Sequence, residues 1–226
     1  VPNGITLDDV VQRYPCIVTG VVTATAGESL DSNAPLVILF HGRGTNEQEI
    51  IGLSGELPNG NSYVALRGPI ELAPGNYAWF QNRGIGRPIA ESLRETLDWF
   101  YSWLEPYANS NRKIILIGFS GGAAFVGGLT LDRSELFAGS AVLYGTFPFE
   151  AGLEVSMGGL NGYGLFHAQG DNDEVMPRDL MERTWRYVTQ ESGASVTALR
   201  SQGGHSITSE VVAALVSWIM NLTENQ

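Results

Sequence analysis

Lys113-Ile114-Ile115-Leu116-Ile117-Gly118-Phe119-Ser120-Gly121-Gly122-Ala123-Ala124-Phe125-Val126 passes from an apolar run, through a glycine-flanked serine, into small and apolar residues. An apolar run without polar alternation reads as a strand buried on both faces, as in parallel sheets covered by helices. The residues after the serine read as a helix. Strand, sharp turn and helix place Ser120 at a strained turn where bulky neighbours would clash, so glycines flank it. The helix N-terminus aims free N–H groups at the same point and favours developing negative charge there. With 28 glycines in the chain, Gly-x-Ser-x-Gly is weak as a bare pattern. Its setting makes Ser120 a candidate nucleophile.

Outward from this motif, strand-like runs alternate with segments of helical period. Pro15 to Thr23, Leu36 to Phe40, Tyr63 to Leu66, Phe137 to Leu143, Tyr163 to His167 and Ser195 to Leu199 read as strands. Ile89, Leu93, Leu97, Phe100, Tyr101 and Leu104 recur about once per helical turn, predicting an amphipathic helix over Pro88 to Tyr107 with the proline in its first turn. Leu180, Met181, Trp185 and Val188 mark another helix. Ile207 to Ile219 marks the last, with Ser206 as the expected N-cap. Leu57 to Tyr77, rich in Gly, Pro and Asn, reads as loops around the short strand. Strand–helix alternation over one expected domain, residues 1–226, implies a doubly wound, mostly parallel sheet flanked by helices. Sites in such sheets form at the carboxyl ends of the strands. Only Tyr144 to Gly162 leaves room for extra cover, so no cap domain is expected.

The formal net charge of −11 argues against nucleic acid as a partner, which needs a basic footprint. Cys16 is the single cysteine, so neither an intramolecular disulfide nor a cysteine-based zinc site can form. It reads as a small core residue. No metal or cofactor is expected. Val1-Pro2-Asn3-Gly4 lacks the basic start and apolar stretch of a signal peptide, and no apolar run is long enough to span a membrane. Asn221-Leu222-Thr223 reads as a chance match to a glycosylation triplet. The expected location is cytoplasmic, with stable membrane insertion excluded and homodimerisation left open.

A serine hydroxyl needs a base, and the chain has three histidines. His205, in Gly203-Gly204-His205-Ser206, lies after the last strand and before the last helix. Enzymes with an elbow serine run Ser, acid, His along the chain, and His205 fits that order. His41 precedes the serine and reads as a residue fixing its loop by hydrogen bonds; His167 reads as a packed strand residue. The acid belongs on Gly170-Asp171-Asn172-Asp173-Glu174-Val175-Met176-Pro177, where spacing alone does not choose between Asp171 and Asp173. Asp-x-Asp also suggests calcium, but the glycine and closing glutamate of an EF-hand loop are absent.

Five motifs in order resemble the phospholipase/carboxylesterase family, which includes the acyl-protein thioesterases. Leu39-Phe40-His41-Gly42-Arg43-Gly44 is similar to its oxyanion-loop strand; Arg67-Gly68-Pro69 and Ala78-Trp79-Phe80 are similar to its middle signature. Gly118-Phe119-Ser120-Gly121-Gly122-Ala123 resembles the elbow, Gly170-x-x-Asp173-x-Val175-x-Pro177 the acid loop and Gly204-His205-x-Ile207 the base loop. The resemblance runs from about Leu36 to the last helix and implies the α/β-hydrolase fold. It implies a triad of Ser120, Asp173 and His205, with Asp171 as runner-up acid. The implied oxyanion donors are the backbone N–H groups of Arg43 and Gly121, and Trp79 would pack near the acyl site. Two departures stand out: many relatives have Gln where this chain has Gly121, and an acidic residue where it has Thr45. Arg43 is therefore a cation beside the oxyanion, a candidate for orienting an anionic substrate group.

The implied activity is that of a serine carboxylesterase acting on small or medium-chain esters. Acyl thioesterase or lysophospholipase activity is the nearest alternative. A non-catalytic binding module is the alternative of another class, and a dienelactone-hydrolase-like activity is disfavoured because that relative has Cys at the elbow.

Overall fold

The computed structural model describes residues 20–108 and 111–224. Cys16 and all but the end of the strand expected over Pro15 to Thr23 lie outside them; the first described strand, β1, is Thr23–Gly27. The remaining strands of the main sheet are β2 (Leu36–Phe40), β3 (Ser62–Leu66), β8 (Ile114–Phe119), β9 (Gly139–Leu143), β10 (Gly164–Gly170) and β11 (Ser195–Ser201). They stand in the order β1-β3-β2-β8-β9-β10-β11. Every pairing is parallel except β1 with β3. This is the mostly parallel, helix-flanked sheet expected from the alternating runs.

Period-two alternation explains why β2 reads as apolar throughout. Leu36, Ile38 and Phe40 face one core layer, with Leu93, Leu97, Phe100 and Phe125 from α2 (Ala90–Ala108) and α3 (Gly121–Arg133). Val37 and Leu39 face the other, with Val211, Leu215 and Ile219 from α5 (Ser209–Glu224). Both sides are dry, so neither set can be polar. From β2 the chain steps outward to β3 and later returns to lay β8 on β2's other side. The crevice at such a reversal is where sites form in open sheets. It falls between the carboxyl ends of β2 and β8, where His41 and Ser120 begin their loops.

Several local expectations are corrected. Pro88 is not in the first turn of α2: it pairs with Asn82 in a hairpin of β6 (Asn82–Gly84) and β7 (Arg87–Pro88), and the helix begins at Ala90. Proline has no N–H to donate and fits the end of a short ribbon as readily as a helix start. Leu57 to Tyr77 holds more than loops, since β4 (Ile70–Ala73) pairs with β5 (Asn76–Ala78) around Gly75, whose φ is +80°. The α5 cap is Thr208 rather than Ser206: its hydroxyl accepts from Val211 N–H at 3.3 Å. Between β9 and β10, residues 144–163 contain neither helix nor strand. Pro148, Gly152, Gly158, Gly159 and Gly162 deny that crossover a helix.

Candidate active site

β8 delivers Ser120 into the turn and α3 (Gly121–Arg133) leaves it one residue later. The turn holds Ser120 at φ 55°, ψ −114°, a conformation an L-residue adopts only when its surroundings enforce it. Close approach of backbone explains the glycines. A Cβ on Gly118 would run into the carbonyl of Gly122, and one on Gly122 into the carbonyl of Phe40. The elbow is thereby packed directly onto the end of β2. Ser120 N–H donates to Leu143 C=O at 2.9 Å, tying it to β9 as well.

Ser120, His205 and Asp173 come together from three loops at the carboxyl end of the sheet. His205 Nε2 lies 2.8 Å from Ser120 Oγ, and His205 Nδ1 lies 2.7 Å from Asp173 Oδ2. The other carboxylate oxygen of Asp173 accepts from Val175 N–H at 2.8 Å and Met176 N–H at 3.0 Å. The Asp173 side chain is fully shielded and that of His205 is 15% exposed. A carboxylate at Nδ1 requires that nitrogen to carry the proton, which leaves Nε2 with its lone pair toward the serine hydroxyl. The Phe119 ring, 5.2 Å from the imidazole centroid, braces it from the side.

Asp171, the runner-up, points elsewhere. It pairs with Arg200 at 2.6 Å and accepts from Gln202 at 3.0 Å on the surface. Gly170 keeps the acid and base loops together, because a Cβ there would strike the carbonyls of Gly203 and Gly204. His167 is buried inside β10, with Nδ1 2.9 Å from the Val142 carbonyl oxygen.

The loop after β2 lies over the elbow. Among the described residues, the N–H groups of Arg43 and Gly121 have no hydrogen-bond acceptor. They are close neighbours: a Cβ on Gly121 would sit 3.1 Å from Arg43 N. A side chain at this position would thus press on the backbone of the loop, and glycine lets loop and helix approach.

Hydrogen bonds to Gly68, Trp79 and Tyr77 hold the loop. His41 Nε2 accepts from Gly68 N–H at 2.9 Å, so Nδ1 carries the proton and donates to Gly42 C=O at 2.7 Å. Burial lowers the His41 pKa below its ordinary value, which keeps this neutral form. Trp79 donates its indole N–H to His41 C=O at 2.8 Å. Gly44 N–H donates to Tyr77 C=O at 2.8 Å, and Tyr77 N–H to Thr45 C=O at 3.0 Å, joining the loop to the β4–β5 hairpin. Trp79, expected to pack near the acyl site, is 1% exposed and stacks on Phe125 at 5.0 Å with an interplanar angle of 8°. It lies beneath the loop and lines a small recess there with Arg43, Phe80, Asn82 and Gly121.

A cleft of about 470 Å³ opens beside Ser120. Phe80, Ile85, Ala124, Val175 and Met176 supply apolar wall; Arg43, Asn82 and Arg83 supply the polar one. Sequence reasoning missed the β6–β7 hairpin that carries Asn82, Arg83 and Ile85. Its signal was Gly84-Ile85-Gly86, too short for periodicity, with Gly86 turning at φ +72°. Among the described residues no helix is long and apolar enough to cross a membrane, and no three His, Cys, Asp or Glu side chains cluster to hold a metal ion.

Comparison with known proteins bears on the fold and the family. The chain is 22% identical over 187 residues to the "Putative hydrolase MhqD" of Bacillus subtilis (strain 168), covering 81% of this chain and 91% of that one. A Bacillus cereus carboxylesterase superposes with a TM-score of 0.76 at 22% identity, covering 90% of this chain and 95% of the other. YahD, solved with malic acid, superposes with a TM-score of 0.73 at 22% identity over 90% of this chain and 100% of its own. At that identity the superpositions establish the α/β-hydrolase fold. The phospholipase/carboxylesterase family profile matches residues 24–223, nearly the whole chain. That breadth of match decides the matter: the chain belongs to the phospholipase/carboxylesterase family of hydrolases.

Proposed function

We propose that this chain is a serine carboxylesterase that cleaves small or medium-chain carboxylic esters through an acyl-Ser120 intermediate. The observation that carries the reading is the continuous relay from Asp173 through a single His205 tautomer to Ser120 Oγ, at 2.7 and 2.8 Å. In the first half-reaction Ser120 Oγ attacks the acyl carbon while His205 Nε2 takes the hydroxyl proton. The carbonyl oxygen gains the charge and is met by the N–H groups of Arg43 and Gly121, which are worth about a hundred- to a thousand-fold each in such sites. The C–O bond to the alcohol then breaks, and His205 returns the proton to the leaving oxygen. Water repeats the sequence on the acyl-enzyme and releases the acid. Asp173 keeps its charge throughout and stabilises the imidazolium.

The cleft supports the substrate size. It touches Ser120 and both oxyanion donors but not His205. Because His205 must reach the leaving oxygen, the alcohol lies on the histidine side and the cleft receives the acyl chain. About 470 Å³ of mixed apolar and polar wall suits short to medium acyl groups.

The test is a panel of p-nitrophenyl esters of graded chain length beside matched thioesters and a lysophospholipid, with Ser120→Ala as the blank. Oxygen esters of short or medium chain are expected to turn over fastest, and the blank to lose roughly a million-fold. A loss of only a few-fold in the blank would overturn the mechanism; preference for thioesters or lysophospholipids would overturn the substrate class.

A further inference from the structure

We propose that the acyl group this site prefers ends in an anion, a carboxylate above all, held by Arg43 and Arg83; the inference rests on the esterase reading and narrows its substrate. Half-esters of dicarboxylic acids are the class that fits.

Charge distribution is the first ground. The chain has 24 acidic against 13 basic residues and a net charge of −11, yet the cleft lining contains two arginines and no carboxylate. A one-signed cleft with apolar walls concentrates the potential inside it, against the field of the rest of the molecule. Pairing is the second ground. Arg67, Arg87, Arg94, Arg186 and Arg200 each meet a carboxylate on this chain. Among the described residues, Arg43 and Arg83 have neither an ion pair nor a hydrogen bond to their side chains. Arg133, Arg178 and Arg183 also lack an ion pair, the first and last lying over the rings of Tyr101 and Phe149, but none of the three lines the cleft.

The third ground is that Arg83 stands on an anchored support. Ile89 N–H donates to Gln81 C=O at 2.8 Å and Gln81 N–H to Ser92 Oγ at 3.0 Å, fixing the base of the β6–β7 hairpin. Arg87 ties its second strand to Glu150 and to Asp179. Beside Arg83, the shielded side-chain oxygen of Asn82 has no hydrogen-bond partner.

Since the cleft lies on the acyl side, the anion belongs to the acid and remains on the enzyme after the alcohol departs. Arginine is suited to this task, because its planar fork matches a carboxylate and its charge persists at all working pH.

The experiment compares kcat/KM for mono-p-nitrophenyl adipate with that for its neutral methyl ester, so that the reacting bond and leaving group are the same. Wild type is expected to favour the anion. Arg43→Gln and Arg83→Gln should each lower the anionic-to-neutral ratio about fivefold, as partly exposed charge pairs do. Taking the ratio removes any change in the oxyanion loop that both substrates share. A ratio that stays within twofold of wild type in both variants overturns the proposal. Calorimetric titration of adipate into Ser120→Ala separates the two readings. Binding there that weakens with either arginine change supports the anion site even without hydrolysis. No binding, together with normal Ser120-dependent hydrolysis of neutral esters, overturns the anion site and leaves the esterase standing.

Discussion

Replacing Asp173 by Asn changes one atom and should nearly abolish turnover. Oδ1 of Asp173 accepts from Val175 and Met176 N–H at 2.8 and 3.0 Å, and Oδ2 faces His205 Nδ1 at 2.7 Å. An asparagine must keep its oxygen toward the two backbone donors, since its NH₂ group would meet N–H against N–H. That places the NH₂ on His205. The imidazole then presents a lone pair at Nδ1 and carries its proton on Nε2, where it can no longer accept from Ser120. The wrong tautomer costs roughly ten-thousandfold in kcat for triads of this kind, about 5.5 kcal/mol of transition-state stabilisation. Asp171→Asn is the contrast. It weakens a surface pair with the 45%-exposed Arg200 side chain and should alter kcat/KM by less than about threefold. Stopped-flow and steady-state hydrolysis of a p-nitrophenyl ester reads both variants, with circular dichroism to show that each is folded. A folded Asp173→Asn enzyme within tenfold of wild type, or an inactive Asp171→Asn enzyme, would refute the assignment of the acid.

Further outcomes follow from packing and protonation. Gly118→Ala and Gly122→Ala drive a Cβ into main-chain carbonyls, whereas Gly55 has open space around it. The first two should destabilise by about 2 kcal/mol or more and lower Tm by at least roughly 5 °C, with Gly55→Ala near neutral, in calorimetric scans. Trp79→Phe strands the His41 carbonyl, which should cost about 1–3 kcal/mol in urea unfolding and lower kcat with little change in KM. Burial lowers the pKa of both His41 and His167, so the folded state binds fewer protons than the unfolded one. Their contribution is complete above about pH 6.5 and is lost as pH falls below it, by up to about 1.4 kcal/mol per pH unit for each. Urea unfolding between pH 8 and pH 5 measures this; constant stability across that range would contradict it.

How legible the molecule was depends on how local each signal is. β2 and β8 could be read because burial on both faces forbids polar residues, and the elbow because backbone contact forbids side chains at Gly118 and Gly122. The choice between Asp171 and Asp173 was not local. It depends on where Arg200 and His205 lie after the sheet is assembled, more than 25 residues away in each case. Pro88 and Ser206 were each misplaced for one reason, that proline and serine suit more than one boundary role. Trp79 could not be assigned from sequence because the same ring would serve a substrate wall or a core. In the fold it does both in part: its N–H goes to the His41 carbonyl, and its ring lines a small recess beside Arg43 and Gly121. The cleft's arginine on β6 was invisible until the hairpin closed over Ser120.

The most direct measurement of the central claim is intact-protein and peptide mass spectrometry after treatment with a fluorophosphonate, which traps an activated serine. A single adduct on Ser120, absent from Ser120→Ala and strongly slowed in Asp173→Asn, is the expected result. Ester turnover that persists with no adduct, or with the adduct on another residue, would contradict it.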